Sequence, residues 1–180
     1  ILCWNRLTDK EEYRPVEELK VGDMVKSYMH GYLPISHCKS SLMKNNPKKW
    51  YQCMYEMKKT EETEETLGLF KDLIVTGGHG ILVDKDHVPS KMQGVNNRKL
   101  RSTNTPNMVE DKYLLLSHLS PLFKKLDNQD IYTYYQFSLT DSSANFGADL
   151  DKRYGVWANG LLVETPSHNQ ILSVDKRHIR

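Results

Sequence analysis

Thr76 and His79 stand three residues apart in Thr76-Gly77-Gly78-His79. A hydroxyl and an imidazole at that spacing suit work on a peptide bond. The hydroxyl can hold the carbonyl side, and the imidazole can hand a proton to the amide nitrogen as it leaves. Two glycines let the backbone bend there and let another chain approach closely. Asp72 and Asp84 bracket the turn, and either could orient His79. A competing reading is a plain turn with a hydrogen-bonded histidine, since four residues are a weak motif by themselves.

Other combinations carry less chemistry. His30, His37, Cys38 and Cys53 are close in sequence, yet no Cys-x-x-Cys or His-x-x-x-His pair occurs, so neither a metal site nor a cofactor is expected. Three cysteines make no disulfide framework. Lys44, Lys48 and Lys49 beside Trp50 and Tyr51 imitate a nucleic-acid patch. With 25 basic against 23 acidic residues, a solvated loop is the better reading and no nucleic-acid partner is expected. No apolar run reaches the ~18 residues of a membrane span, so none is expected.

The elements around the turn are short and β-rich. Leu73-Ile74-Val75 and Ile81-Leu82-Val83 flank it as strands ended by glycine. A strand over 24–28 turns at His30-Gly31 into 32–35, where Pro34 predicts an edge. Residues 39–49 are expected to be a loop around Asn45-Asn46-Pro47. Residues 50–57 resume a strand, and 61–65 form an acidic, solvated tip. The stretch 84–111 has almost no apolar period and predicts an insertion or a mobile loop. A buried strand over 113–117 precedes a helical turn at 121–126. Residues 131–139 are the clearest long strand, and Asn159-Gly160 signals a two-residue hairpin between 154–158 and 161–164. Residues 165–180 are expected to be a C-terminal tail. No helix longer than a turn or two is expected, so the chain reads as one all-β domain over 1–180.

Three stretches carry a resemblance. They are Tyr13-Arg14-Pro15-Val16-Glu17-Glu18-Leu19-Lys20-Val21-Gly22-Asp23-Met24-Val25, then 75–83 with its Thr-Gly-Gly-His, then Tyr154-Gly155-Val156-Trp157-Ala158-Asn159-Gly160-Leu161-Leu162-Val163. In this order they resemble the blocks of the Hint domain, the self-processing unit of hedgehog C-terminal regions, inteins and related bacterial and viral proteins. The Lys-Ser-Tyr-x-His-Gly-Tyr hairpin is similar to Hint domains of large DNA viruses. The resemblance implies a β fold of many short strands, curved and closed on itself, with long loops and with its termini near one site. It also implies an N–S or N–O acyl shift: a Cys or Ser attacks the carbonyl before it, and a second nucleophile resolves the resulting thioester or ester. By resemblance His79 protonates the leaving nitrogen and Thr76 holds the scissile peptide. The substrate, and the only partner implied, is the chain's own upstream polypeptide.

Two departures limit the analogy. The family's nucleophile precedes a first strand ending in residues like Ile1-Leu2, which places it roughly seven residues upstream of Ile1. Cys3 is the alternative, because Cys3 and Thr8 echo a Cys-four-residues-Thr opening, although that choice leaves no strand before Tyr13. Inteins follow the last hairpin with His-Asn and a nucleophile, where this chain has Glu164-Thr165-Pro166. Without that Asn no succinimide can form, so processing at the N-terminal side only is expected. A Hint-derived binding or structural module without catalysis stays open, as does an unrelated β-sandwich.

Overall fold

The computed structural model describes residues 1–84, 86, 108–141 and 149–175. The chain is all-β, with thirteen strands and two short helices among the described residues. The strands are β1 (Leu2–Asn5), β2 (Lys10–Tyr13), β3 (Met24–Ser27), β4 (Gly31–Lys44), β5 (Met54–Met57), β6 (Leu73–Thr76), β7 (Gly80–Val83), β8 (Met108–Val109), β9 (Lys112–Leu116), β10 (Lys124–Lys125), β11 (Ile131–Leu139), β12 (Gly155–Ala158) and β13 (Leu161–Glu164). The helices are α1 (Glu61–Leu67) and α2 (His168–Asp175). Ten strands make one sheet in the order β11-β4-β3-β12-β13-β7-β9-β8, with the β1–β2 hairpin joined at β3. A second sheet, β10-β5-β6, carries the strand that ends at Thr76.

The core explains why the site has a firm base. All four residues of β7 are buried, so its apolar run has no polar side. Period-two geometry splits that run. Ile81 and Val83 join the large cluster with Leu115, Val156 and Val163, while Leu82 joins a smaller one with Val109, Leu114 and Leu116. Full burial of each aliphatic side chain stabilises by about 1.5–3 kcal/mol. β7 is therefore clamped on both faces directly after His79.

The Asn159-Gly160 hairpin forms as expected. Both residues have positive φ, 51° and 91°, as a two-residue primed turn requires. The turn is also a joint: Phe70 N–H donates to the Asn159 carbonyl at 3.0 Å, and Asn159 Nδ2 donates to the Asp72 carbonyl at 2.9 Å. A Cβ on Gly160 would overlap the Gly68 carbonyl. The last hairpin is thus fastened to the segment that leads into β6.

Several local expectations are corrected. Residues 32–44 are one long strand rather than a short edge followed by a loop. Pro34 fits because β4 changes partner there: residues 31–34 pair with β3, and 35–44 pair with β11. The missing Pro34 N–H falls at the handover, and its carbonyl still accepts from Thr140 N–H at 3.2 Å. The acidic tip at 61–65 is helix α1. Thr60 caps it by accepting from Thr63 N–H, the Thr63 hydroxyl accepts from Thr60 N–H, and Gly68 ends it at φ 76°. Glu61, Glu62 and Glu64 sit in its first turn, where the helix dipole favours negative charge. Residues 50–52 are a 3-10 turn ahead of β5, and 121–126 contain strand β10 in place of a helical turn.

Of the stretch 84–111, residues 85 and 87–107 lie outside the described residues, and so does its expected mobility. Its end, Met108–Val109, is strand β8 paired with β9. Within the stretch read as a tail, α2 docks through Ile171, which is buried. Ser167 and Gln170 cap it reciprocally: Gln170 N–H donates to the Ser167 hydroxyl at 3.3 Å, and Ser167 N–H donates to Gln170 Oε1 at 2.8 Å.

Candidate functional site

The turn between β6 and β7 is held from behind on every side. His79 N–H donates to the Thr76 carbonyl at 2.9 Å, and Gly77 N–H donates to the Cys53 carbonyl at 2.9 Å. The buried Ser117 closes the other side: its N–H donates to the His79 carbonyl at 2.9 Å and its hydroxyl to the Thr76 carbonyl at 2.8 Å. His118 N–H and Nδ1 lie 3.3 and 2.7 Å from the Gly77 carbonyl. A carbonyl only accepts, so His118 carries its proton on Nδ1. Its ring stacks on Trp50 at 4.1 Å and 19°. Gly77 is required for close approach, since a Cβ there would overlap the Trp50 carbonyl and sit 2.7 Å from a Tyr55 ring carbon.

Thr76 and His79 line one cavity of about 700 Å³. Its other walls come from distant parts of the chain: Ile1 and Val16 at the start, 133–137 of β11, and Glu164, Thr165 and Pro166 after β13. His79 is half-buried, and loss of hydration pushes its imidazole down to about 4. It is therefore neutral at pH 7. Glu164 is paired with Arg153 at 2.8 Å, both side chains being nearly buried, which leaves a neutralised carboxylate on the cavity wall. A Cβ on Gly80 would overlap Leu114 and come within 3.3 Å of Glu164 Oε1, so Gly80 lets that carboxylate lie against the base of the turn.

The flanking carboxylates serve other partners. Asp72 binds Lys58 at 2.8 Å and Lys59 N–H at 2.8 Å, and Asp84 binds Lys112 at 2.6 Å. Cys3 is fully buried in the middle of β1, where burial pushes its thiol up and the Ile1 carbonyl accepts from it at 3.4 Å. It does not line the cavity, so the chain brings Thr76 and His79 together with Ile1 but leaves Cys3 in the core. The Thr165 hydroxyl accepts from Tyr154 N–H at 3.2 Å and carries no amide to cyclise.

Three site residues escape the sequence reading. Ser117 and His118 directly follow the apolar run of β9, and a hydroxyl-imidazole pair at the end of a buried strand was the available signal. Gln136 lines the cavity from β11, and its Oε1 is buried with no donor among the described residues. A strand of alternating tyrosines gives no hint of that.

No protein-family model, no curated protein and no solved structure matches this chain. No helix among the described residues is long and apolar enough to cross a membrane.

Proposed function

We propose that the chain is a Hint-type autoprocessing domain that performs an N–S or N–O acyl shift at a Cys or Ser upstream of Ile1. The observation that carries this reading is the shared cavity. Ile1 and Val16, the Thr76–His79 turn, and Glu164 to Pro166 are far apart in sequence and line one space. They belong to, or adjoin, the three stretches that resemble Hint blocks. Roughly seven residues leading into Ile1 span at most about 23–25 Å when extended, enough to enter such a cavity.

The reaction needs a proton moved and a nitrogen made to leave. As the upstream thiol or hydroxyl attacks the preceding carbonyl, it loses a proton. The neutral His79 accepts that proton and passes it to the amide nitrogen, so the C–N bond breaks and an amine forms with no net change in charge. Desolvation makes the imidazolium a strong acid, which suits a reluctant leaving group, and such help contributes ~10²–10⁴-fold. The Thr76 hydroxyl is the neighbouring group able to bond the scissile carbonyl. At the far end Thr165 replaces a cyclising Asn, so the reaction stops at N-terminal cleavage.

The test is intact mass spectrometry of the parent polypeptide with and without hydroxylamine or a thiol. Cleavage at one residue before Ile1, abolished in His79→Ala, is the expected result. An uncut parent under both conditions, or cleavage that persists unchanged in His79→Ala, refutes the reading and favours a Hint-derived binding module.

A further inference from the structure

The strand that ends at Thr76 is hydrogen-bonded on one side only. Among the described residues β6 pairs with β5 and with no other strand. The register tells which main-chain groups are left over. Gly77 N–H donates to the Cys53 carbonyl at 2.9 Å, so by alternation Val75 bonds Tyr55 and Leu73 bonds Met57. Ile74 and Thr76 therefore aim their N–H and C=O away from β5. Met54, opposite Thr76, agrees: its N–H donates to Asn45 Oδ1 and its carbonyl accepts from Leu126 N–H, so neither group turns to β6. Both ends of this outer edge are closed from within. The Asp72 carbonyl accepts from Asn159 Nδ2, and the Thr76 carbonyl accepts from His79 N–H and the Ser117 hydroxyl. Between them the N–H and C=O of Ile74 and the N–H of Thr76 have no partner among the described residues.

Native sheets blunt such an edge with lysine, proline or a bulge. β6 reads Leu-Ile-Val-Thr in unbroken register and has none of these. All four of its residues line the cavity, so the cavity touches both faces of the strand. β5 closes one edge of β6, so a cavity that touches both faces passes the open one. The occupant follows from where the β1–β2 ladder stops. The Ile1 nitrogen donates to the Arg14 carbonyl at 2.7 Å, and Arg14 N–H donates to the Ile1 carbonyl at 2.8 Å. Beyond Arg14, Pro15 has no N–H and Val16–Glu18 turn off as a 3-10 helix, so β2 offers no ladder to a residue before Ile1. Ile1 and Val16 both line the cavity, so chain joined to Ile1 parts from β2 at the cavity wall. An extended segment there needs main-chain partners, and β6 holds them unused.

We infer that β6 is a docking edge for the peptide segment leading into Ile1, which adds to it as a strand through the Ile74 and Thr76 main chain and is thereby laid beside Thr76 and His79. Main-chain recognition of this kind reads an extended polypeptide rather than particular side chains. The inference rests on the proposed autoprocessing reading for the existence of that segment, and its test reads hydrogen bonds instead of cleavage.

Amide hydrogen exchange, resolved by residue with NMR, is compared in two uncut His79→Ala polypeptides: the parent with its native upstream residues, and the chain that begins at Ile1. The Ile74 and Thr76 amides should exchange about tenfold more slowly in the parent, the effect of one added hydrogen bond each. The amides of Leu73 and Val75, already bonded to β5, should change less. Equal exchange of Ile74 and Thr76 in the two polypeptides, or a slowing shared equally by all four amides, overturns the inference. So does a slowing that is present in the chain beginning at Ile1 and grows with its concentration, which assigns the edge to a second copy. Selective slowing in a parent whose wild type never cleaves sinks autoprocessing and keeps the docking edge. Cleavage of the wild type without selective slowing does the reverse.

Discussion

Acid should weaken this fold through one imidazole. His79 is held at about 4 in the folded chain against 6.5 for a free histidine, because it loses hydration without gaining a counter-charge. Between those two values the unfolded chain binds a proton that the folded chain refuses. The neutral ring's contribution is therefore complete above about pH 6.5, falls as the pH drops, and is gone below about pH 4. A displacement from 6.5 to about 4 corresponds to roughly 3 kcal/mol at 1.36 kcal/mol per unit. The residue as a whole keeps some contact with solvent, which relaxes part of the penalty, so about 2 kcal/mol is the expected size. Urea unfolding, followed by tryptophan fluorescence at about pH 7.5 and about pH 4, measures it when wild type and His79→Gln are run side by side. Glutamine does not titrate, and every other group cancels in the comparison. Wild type should lose about 2 kcal/mol more than His79→Gln over this range. Parallel losses would show that His79 titrates normally, and the proton-transfer argument built on a strongly acidic imidazolium would fall with it.

Two further outcomes follow from the same region and its neighbour. Gly77→Ala forces a Cβ into the Trp50 carbonyl and the Tyr55 ring. It should cost about 1–3 kcal/mol in thermal unfolding and stop any self-cleavage, and a variant as stable as wild type would refute the close packing. Glu110 is buried with Oε1 3.3 Å from His30 Nε2, and burial pushes its carboxyl up. Its contribution is present below the ordinary carboxylate range and is lost as pH rises through the raised value, so Glu110→Gln should gain melting temperature relative to wild type as pH rises from weakly acidic to neutral. A difference between the two that does not change with pH would exclude this role for Glu110.

Much of the site's frame is legible in sequence because it is local. β6, the glycine turn and β7 follow from two β-branched runs and two glycines, and the Asn159-Gly160 hairpin follows from the dihedrals those residues tolerate. β4 is not legible, because Lys39, Ser40, Ser41 and Lys44 lie on a two-stranded ribbon with one open face, where polar residues cost little. α1 buries none of its residues, so it shows no apolar period, only its cap. For the site, the pairing of Thr76 with His79 is visible as spacing. Their enclosure is not. Ser117, His118 and Gln136 reach the turn and the cavity through strands whose register is set by tertiary pairing, which no local pattern encodes.

The order of strands in the large sheet has a consequence for timing. β12 and β13 lie between β3 and β7, so the sheet's centre is filled by residues made after all of its other strands. During synthesis β3 and β7 have no bridge until residues 155–164 emerge, and such distant pairings close slowly. The cavity wall formed by Glu164 to Pro166 arrives later still. A nascent chain that already contains Thr76 and His79 therefore lacks the enclosure around them, and whatever chemistry this turn performs is withheld until the whole domain has been delivered and folded.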